Sequence, residues 1–196
     1  SLFMVILLAV AVQAQRTLIH CGQLVDPRAA KLLQEKTIVV EGSRISAIHD
    51  GYTLPEANDR LVDLKKQTVM PGLMDMHVHL ELEIKKGDAV EKFTRNPPDI
   101  AYSSVRFAYT TLLSGFTTVR DLGGTGVNIS LRNAIAKGEI IGPRIFTAGK
   151  SLATTGGHAD PTNGYRKDLM GDPGPDQAVV NGVADAYKAV LENWFI

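Results

Sequence analysis

Short apolar runs, several alternating with polar residues, dominate the chain from Arg16 to Leu64. Thr17-Leu18-Ile19-His20, Lys36-Thr37-Ile38-Val39-Val40, Arg44-Ile45-Ser46-Ala47-Ile48 and Leu61-Val62-Asp63-Leu64 each fit a strand. Glu41-Gly42-Ser43 has the length and chemistry of a hairpin turn between the second and the third. The expectation is a small antiparallel sheet, with too few strands to be secure alone.

The pattern changes at Thr68, where an apolar strand runs into polar, ligand-type residues at His77-Val78-His79. Apolar residues at helical spacing then predict a helix from Asp99 to Ser114, stopped by Gly115. Phe116 to Asp121 reads as a strand, Gly126 to Lys137 as a helix stopped by Gly138, and Arg144 to Ala148 as a strand. A last helix is expected from Gln177 to about Asn193. Strand and helix in alternation predict βα units on a parallel sheet, an α/β fold. The Gly- and Pro-rich loop between Gly149 and Asp176 is long, and such a loop in a compact α/β domain points to function.

Composition narrows the partners. The 196 residues balance 21 basic against 21 acidic side chains, without a long run of either sign. Nucleic acid and anionic membrane surfaces are therefore not expected partners. The single cysteine, Cys21, can form no internal disulfide and is expected as a small buried hydrophobe, the alternative being a reactive thiol. Leu2 to Val12 is apolar throughout and ends at Val12-Gln13-Ala14, with small residues at the spacing signal peptidase reads. The run falls short of the roughly 20 apolar residues of a membrane-spanning helix. Residues 1–14 are thus expected to be a signal peptide cleaved after Ala14, giving an exported (secreted or periplasmic) protein. A buried N-terminal strand or helix is the alternative. With Ser1 first and no basic segment ahead of the apolar run, the start of the sequence is expected to be incomplete.

His77 and His79 are the main chemical signal. Residues two apart in a strand share a face, so two imidazoles would project side by side where a buried strand emerges, as two ligands of one divalent metal. In a βα barrel that strand end is where chemistry is done. Asp75 is expected on the same strand face, either as a partner to a histidine or as a structural acceptor. Asp121 ends the second strand on the face where active sites form; it reads chiefly as a turn into Leu122-Gly123-Gly124, with Arg120 satisfying a neighbouring carboxylate, the alternative being a contact to substrate or to a metal ligand. His158 either contacts substrate or bonds loop backbone, and Asp160 reads as a turn cap.

Pro71-Gly72-Leu73-Met74-Asp75-Met76-His77-Val78-His79 resembles the strand-one motif of the amidohydrolase superfamily, P-G, two hydrophobic residues, then D-x-H-x-H. Gly42-Ser43-Arg44-Ile45-Ser46-Ala47-Ile48 resembles a strand of the small β-sandwich that precedes the barrel in that family. Gly115-Phe116-Thr117-Thr118-Val119-Arg120-Asp121 resembles its second barrel strand, and Gly142-Pro143-Arg144 the entry to the third. Thr154-Thr155-Gly156-Gly157-His158-Ala159-Asp160 resembles the branch near imidazolonepropionase that includes prolidase-like and Xaa-Arg dipeptidases.

The resemblance implies a partial TIM-like (β/α) barrel, its first three βα units in residues 67–196, preceded by a β-sandwich part in residues 15–66. It implies a metal-dependent hydrolase of carbon–nitrogen bonds, with a small-molecule or dipeptide substrate and one or two divalent ions, zinc being expected. The family's remaining ligands are a carboxylated lysine on strand four, histidines on strands five and six, and an aspartate on strand eight. None can be assigned here: Val69 to Ile196 is about half of the ~250 residues of a full barrel. Lys188 falls on a predicted helix, and Glu192 to Ile196 does not resemble the run into strand four. The chain as it stands is thus expected to be an incomplete, poorly stable and inactive fragment. A non-catalytic exported binding protein, and a lyase or deaminase of the same superfamily, are the alternatives.

Overall fold

The computed structural model describes residues 15–194. The expected signal peptide, residues 1–14, lies outside the described residues. The chain forms two compact units divided between Pro71 and Gly72.

The first unit is a four-stranded sheet of β1 (Arg16–Asp26), β2 (Lys31–Glu41), β3 (Arg44–Asp50) and β4 (Arg60–Val69), in the order β3-β2-β1-β4. β1 and β2 are longer than their apolar runs because Asp26 turns the chain between them, its Oδ1 accepting the Arg28 and Ala29 N–H groups at 2.9 and 3.1 Å. The sheet is mixed, which corrects the antiparallel expectation: β4 runs parallel to β1, with Leu18 opposite Leu61. Parallel neighbours need a crossing connection, and here it is residues 51–59. The Thr53 carbonyl accepts a bond from His20 Nε2 at 2.9 Å, and Asp59 takes both Nε and Nη2 of Arg16, at 2.9 and 2.7 Å. That bidentate pairing holds the Asp59 carboxyl below its ordinary range. Cys21, Leu24 and Ile38 form the buried cluster, with Ile19, Leu33, Val40 and Val69 against it. Cys21 is fully buried, and burial pushes its thiol upward, away from a reactive thiolate.

The second unit is α/β. β5 (Leu73–Val78), β6 (Phe116–Asp121) and β7 (Arg144–Thr147) form a parallel sheet in chain order. Between them run α1 (Asp88–Thr94), α2 (Pro97–Leu113) and α3 (Val127–Ala136); α4 (Lys167–Met170) and α5 (Val183–Trp194) follow β7. Prolines at its first two positions and the Asp99 carboxylate on the Asn96 N–H (2.8 Å) start α2. Leu80, Ala108, Val119, Leu131 and Ile145 form the core between the sheet and α2 and α3. The sheet's other face is open, with Met74 68%, Met76 59% and Phe146 58% exposed.

Pairing between β5 and β6 slips twice. Asp75 pairs with Val119, but Val78 pairs with Asp121, so β5 holds one residue more than its partner over this stretch. Val119 and Asp121, two apart on β6, are both fully buried, while Arg120 between them is exposed. Val78, opposite Asp121, therefore faces the core, and His77 and His79 on either side of it fall on the open face.

The expected final helix is also corrected. Pro175–Gln177 is a single 3₁₀ turn, and Val179 then runs extended, bridging to Ala153 with both residues buried. The helix begins only at Val183, after Gly182, with the Asp185 carboxylate accepting the Asn181 N–H at 3.2 Å. Lys188 lies on it, paired with Asp176 at 2.6 Å. No described helix is long and apolar enough to cross a membrane.

Candidate metal centre

His77 and His79 leave the end of β5 edge to face, their ring centroids 5.4 Å apart at 71°. His77 is exposed and His79 half-buried. His79 Nδ1 lies 2.7 Å from the Gly123 carbonyl oxygen. A carbonyl only accepts, so Nδ1 carries the proton and the neutral ring keeps its lone pair on Nε2. An imidazole held from behind in this way is oriented to donate that lone pair to a metal.

Both rings line an open cavity of about 530 Å³ together with His158, Lys150, Ser151 and Thr125. Loop 149–176 thus puts a third imidazole on the wall of the same cavity. His158 is exposed on that wall.

The acidic candidates sit elsewhere. The bulge separates Asp75 from the face of His77, correcting the expectation that they share it. Its Oδ1 instead accepts the His77 backbone N–H at 3.0 Å. Asp121 is fully buried. Its Oδ1 accepts the Gly123 N–H at 3.0 Å, the expected turn, and the Asn128 side-chain amide at 3.1 Å; its Oδ2 accepts the Leu80 N–H at 3.0 Å. Arg120 is exposed and joins no ion pair among the described residues, so it does not satisfy the neighbouring carboxylate. Asp160 closes a turn, accepting the Gly156 and Thr162 N–H groups at 2.7 and 2.8 Å.

Two buried residues that shape the site escape sequence reasoning. Glu81, only 4% exposed, accepts the Thr125 N–H and hydroxyl at 2.6 and 2.7 Å and the Asn128 N–H at 2.6 Å. It caps α3, whose own first turn has no acidic residue and whose N-cap is Gly126. Its position, two beyond His79, was the available signal. Asn128 spans the loops after β6 and β7, its amide donating to Asp121 and, at 2.9 Å, to the Gly149 carbonyl.

Among the described residues no three His, Cys, Asp or Glu side chains gather as a metal cluster. The two imidazoles fit two positions of a catalytic zinc site, which ordinarily has three protein ligands.

The amidohydrolase family model matches residues 68–193. Ochratoxinase of Aspergillus niger is 27% identical over 151 residues, covering 76% of this chain and 31% of that protein. Imidazolonepropionase of an Arthrobacter species is 34% identical over 92 residues, 47% of this chain and 22% of that protein. Among solved structures, a Xaa-Pro dipeptidase with methionine in its active site superposes with a TM-score of 0.86 at 44% identity, over 92% of this chain and 45% of that one. The chain therefore spans less than half the length of each of these relatives.

Proposed function

The chain belongs to the amidohydrolase family, and from that premise we propose that it carries the first two ligands of a metal-dependent hydrolase acting on carbon–nitrogen bonds of amide or dipeptide substrates. The observation that carries the reading is the His77–His79 pair, 5.4 Å between ring centroids, with Nδ1 of His79 committed to Gly123 and the other nitrogen left for a ligand. In this reading β5, β6 and β7 are the first strands of a TIM-like barrel, residues 15–66 belong to the preceding β-sandwich, and residues 1–14 export the protein. A divalent ion held there, zinc by choice of ligands, supplies Lewis-acid polarisation of the scissile carbonyl and a more acidic water. The protein's own part is positional: Gly123 fixes the His79 ring, and the 149–176 loop presents His158 to the substrate. The relatives named above are enzymes, which weighs against a non-catalytic binding protein.

The test is metal content of the purified chain and metal-dependent hydrolysis by a full-length protein that carries it, with Xaa-Pro dipeptides and N-acyl amino acids as substrates. Chelation should abolish amino-acid release and zinc restore it, and His77→Ala or His79→Ala should lose both bound metal and activity. Hydrolysis indifferent to chelator and to both substitutions refutes the reading. Release of ammonia in place of an amino acid moves the reaction to the deaminases.

A further inference from the structure

We propose that Asp121 is a positioning residue for His79, holding the Gly123 carbonyl against the imidazole and so setting which ring nitrogen is open to a metal. The proposal rests on reading His77 and His79 as metal ligands. A closed circuit of contacts carries it. Asp121 Oδ2 accepts the N–H of Leu80, the residue after His79, at 3.0 Å. Asp121 Oδ1 accepts the Gly123 N–H, also at 3.0 Å. The Gly123 carbonyl then accepts the proton of His79 Nδ1 at 2.7 Å, closing the ring. One carboxylate therefore sets the distance between the backbone that carries the imidazole and the backbone that orients it.

The surroundings leave the Gly123 carbonyl little freedom. The Leu122 carbonyl is held by the Ser151 hydroxyl at 2.8 Å, and the Gly124 N–H by the Gly149 carbonyl at 2.9 Å. Gly123 has φ +150°, and a Cβ there would lie 1.8 Å from Ser151 Oγ. Asp121 is fully buried and does not line the cavity, so it acts through His79 and not on substrate. Only a carboxylate can accept on both sides. An amide offers one oxygen, and its NH2 would face either the Leu80 N–H or the Gly123 N–H.

The experiment is ¹⁵N NMR of the histidine rings in the metal-free full chain, at a pH where imidazoles are neutral, followed by zinc titration. In the wild type His79 should be the Nδ1-protonated tautomer. Asp121→Asn should give a tautomer mixture and raise the zinc midpoint about 10–100-fold, the usual effect of losing a ligand's outer partner. Asn128→Ala, which removes the side-chain contact and spares both backbone clamps, should keep the tautomer. Should Asp121→Asn unfold, Asp121→Ser, which retains the turn to Gly123 and frees Leu80, is judged by the same readouts. An Nε2-protonated His79 in the wild type overturns the proposal. So does a single unchanged tautomer with wild-type zinc affinity in the Asp121 variants, or an equal loss in Asn128→Ala. Zinc that perturbs neither histidine in the wild type sinks the ligand reading itself, a result separate from the tautomer comparison.

Discussion

Replacing Glu81 by Gln tests whether a carboxylate two residues past the histidine pair holds the loop beneath it. The side chain is 4% exposed and all three of its contacts are donors: Thr125 N–H, Thr125 hydroxyl and Asn128 N–H, at 2.6, 2.7 and 2.6 Å. Glutamine keeps the shape and one oxygen. That oxygen can serve Thr125 twice, as Oε2 does now, which turns the new NH2 toward the Asn128 N–H. A buried backbone donor left without an acceptor costs about 1–3 kcal/mol. Losing the negative charge at the start of α3 costs about 0.3–1 kcal/mol more, up to about 2 in a partly buried site. The expected loss is about 2–4 kcal/mol, read as a lower urea midpoint at unchanged slope. Asn128 N–H should also lose hydrogen-exchange protection before the α3 interior does. A variant within about 0.5 kcal/mol of wild type would refute the capping argument, since surface substitutions free of such features fall in that range.

Three further outcomes are expected. Leu131→Ala empties part of the core shared with Val119 and Ile145 and should cost about 2–5 kcal/mol in the same unfolding assay. Gly123→Ala must place a methyl 1.8 Å from Ser151 Oγ and 2.7 Å from Ser151 N, so zinc affinity should collapse in titration even where the variant still folds. In the first unit the Asp59 carboxyl titrates below its ordinary range because Arg16 bonds it. Its contribution is then complete above the ordinary carboxylate value of about 4 and is lost as pH falls through the lowered one. Asp59→Asn should flatten that acid limb of the stability profile, and an unaltered profile between wild type and variant would count against the pairing.

Local punctuation explains what the sequence revealed. Phe116–Asp121 was legible to the residue, and α3 to within one residue at each end, because Gly115, Gly126 and Gly138 bound them with φ of +95, +104 and +75°. The start of α5 was not legible. Ala178 and Val179 read as part of an apolar helical stripe, yet Val179 is drawn into a bridge with Ala153, a pairing no local window contains. The parallel placement of β4 failed for the same reason, since short strands without intervening helices default to antiparallel neighbours. α1 carried too weak a period to be singled out. Within the site, His77 and His79 announce themselves by type and spacing. Glu81 does not, because its donors lie 44 and 47 residues away. Asp75 was misplaced because a strict two-residue alternation has no provision for an inserted residue.

That inserted residue makes the D-x-H-x-H spelling dependent on a phase slip. In an unbroken strand Asp75, His77 and His79 would all point the same way, toward the helices, and both imidazoles would be sealed against Val119 and Ile145. The bulge inverts the histidines and leaves the aspartate behind, free to fasten the His77 N–H at the kink. Grafting these residues onto a regular strand of another scaffold would therefore carry over the letters and lose the geometry. Deleting Met76 here should restore regular pairing, Asp75 opposite Val119 and Val78 opposite Asp121, and leave both histidines on the open face while removing the kink at which Asp75 holds the His77 N–H.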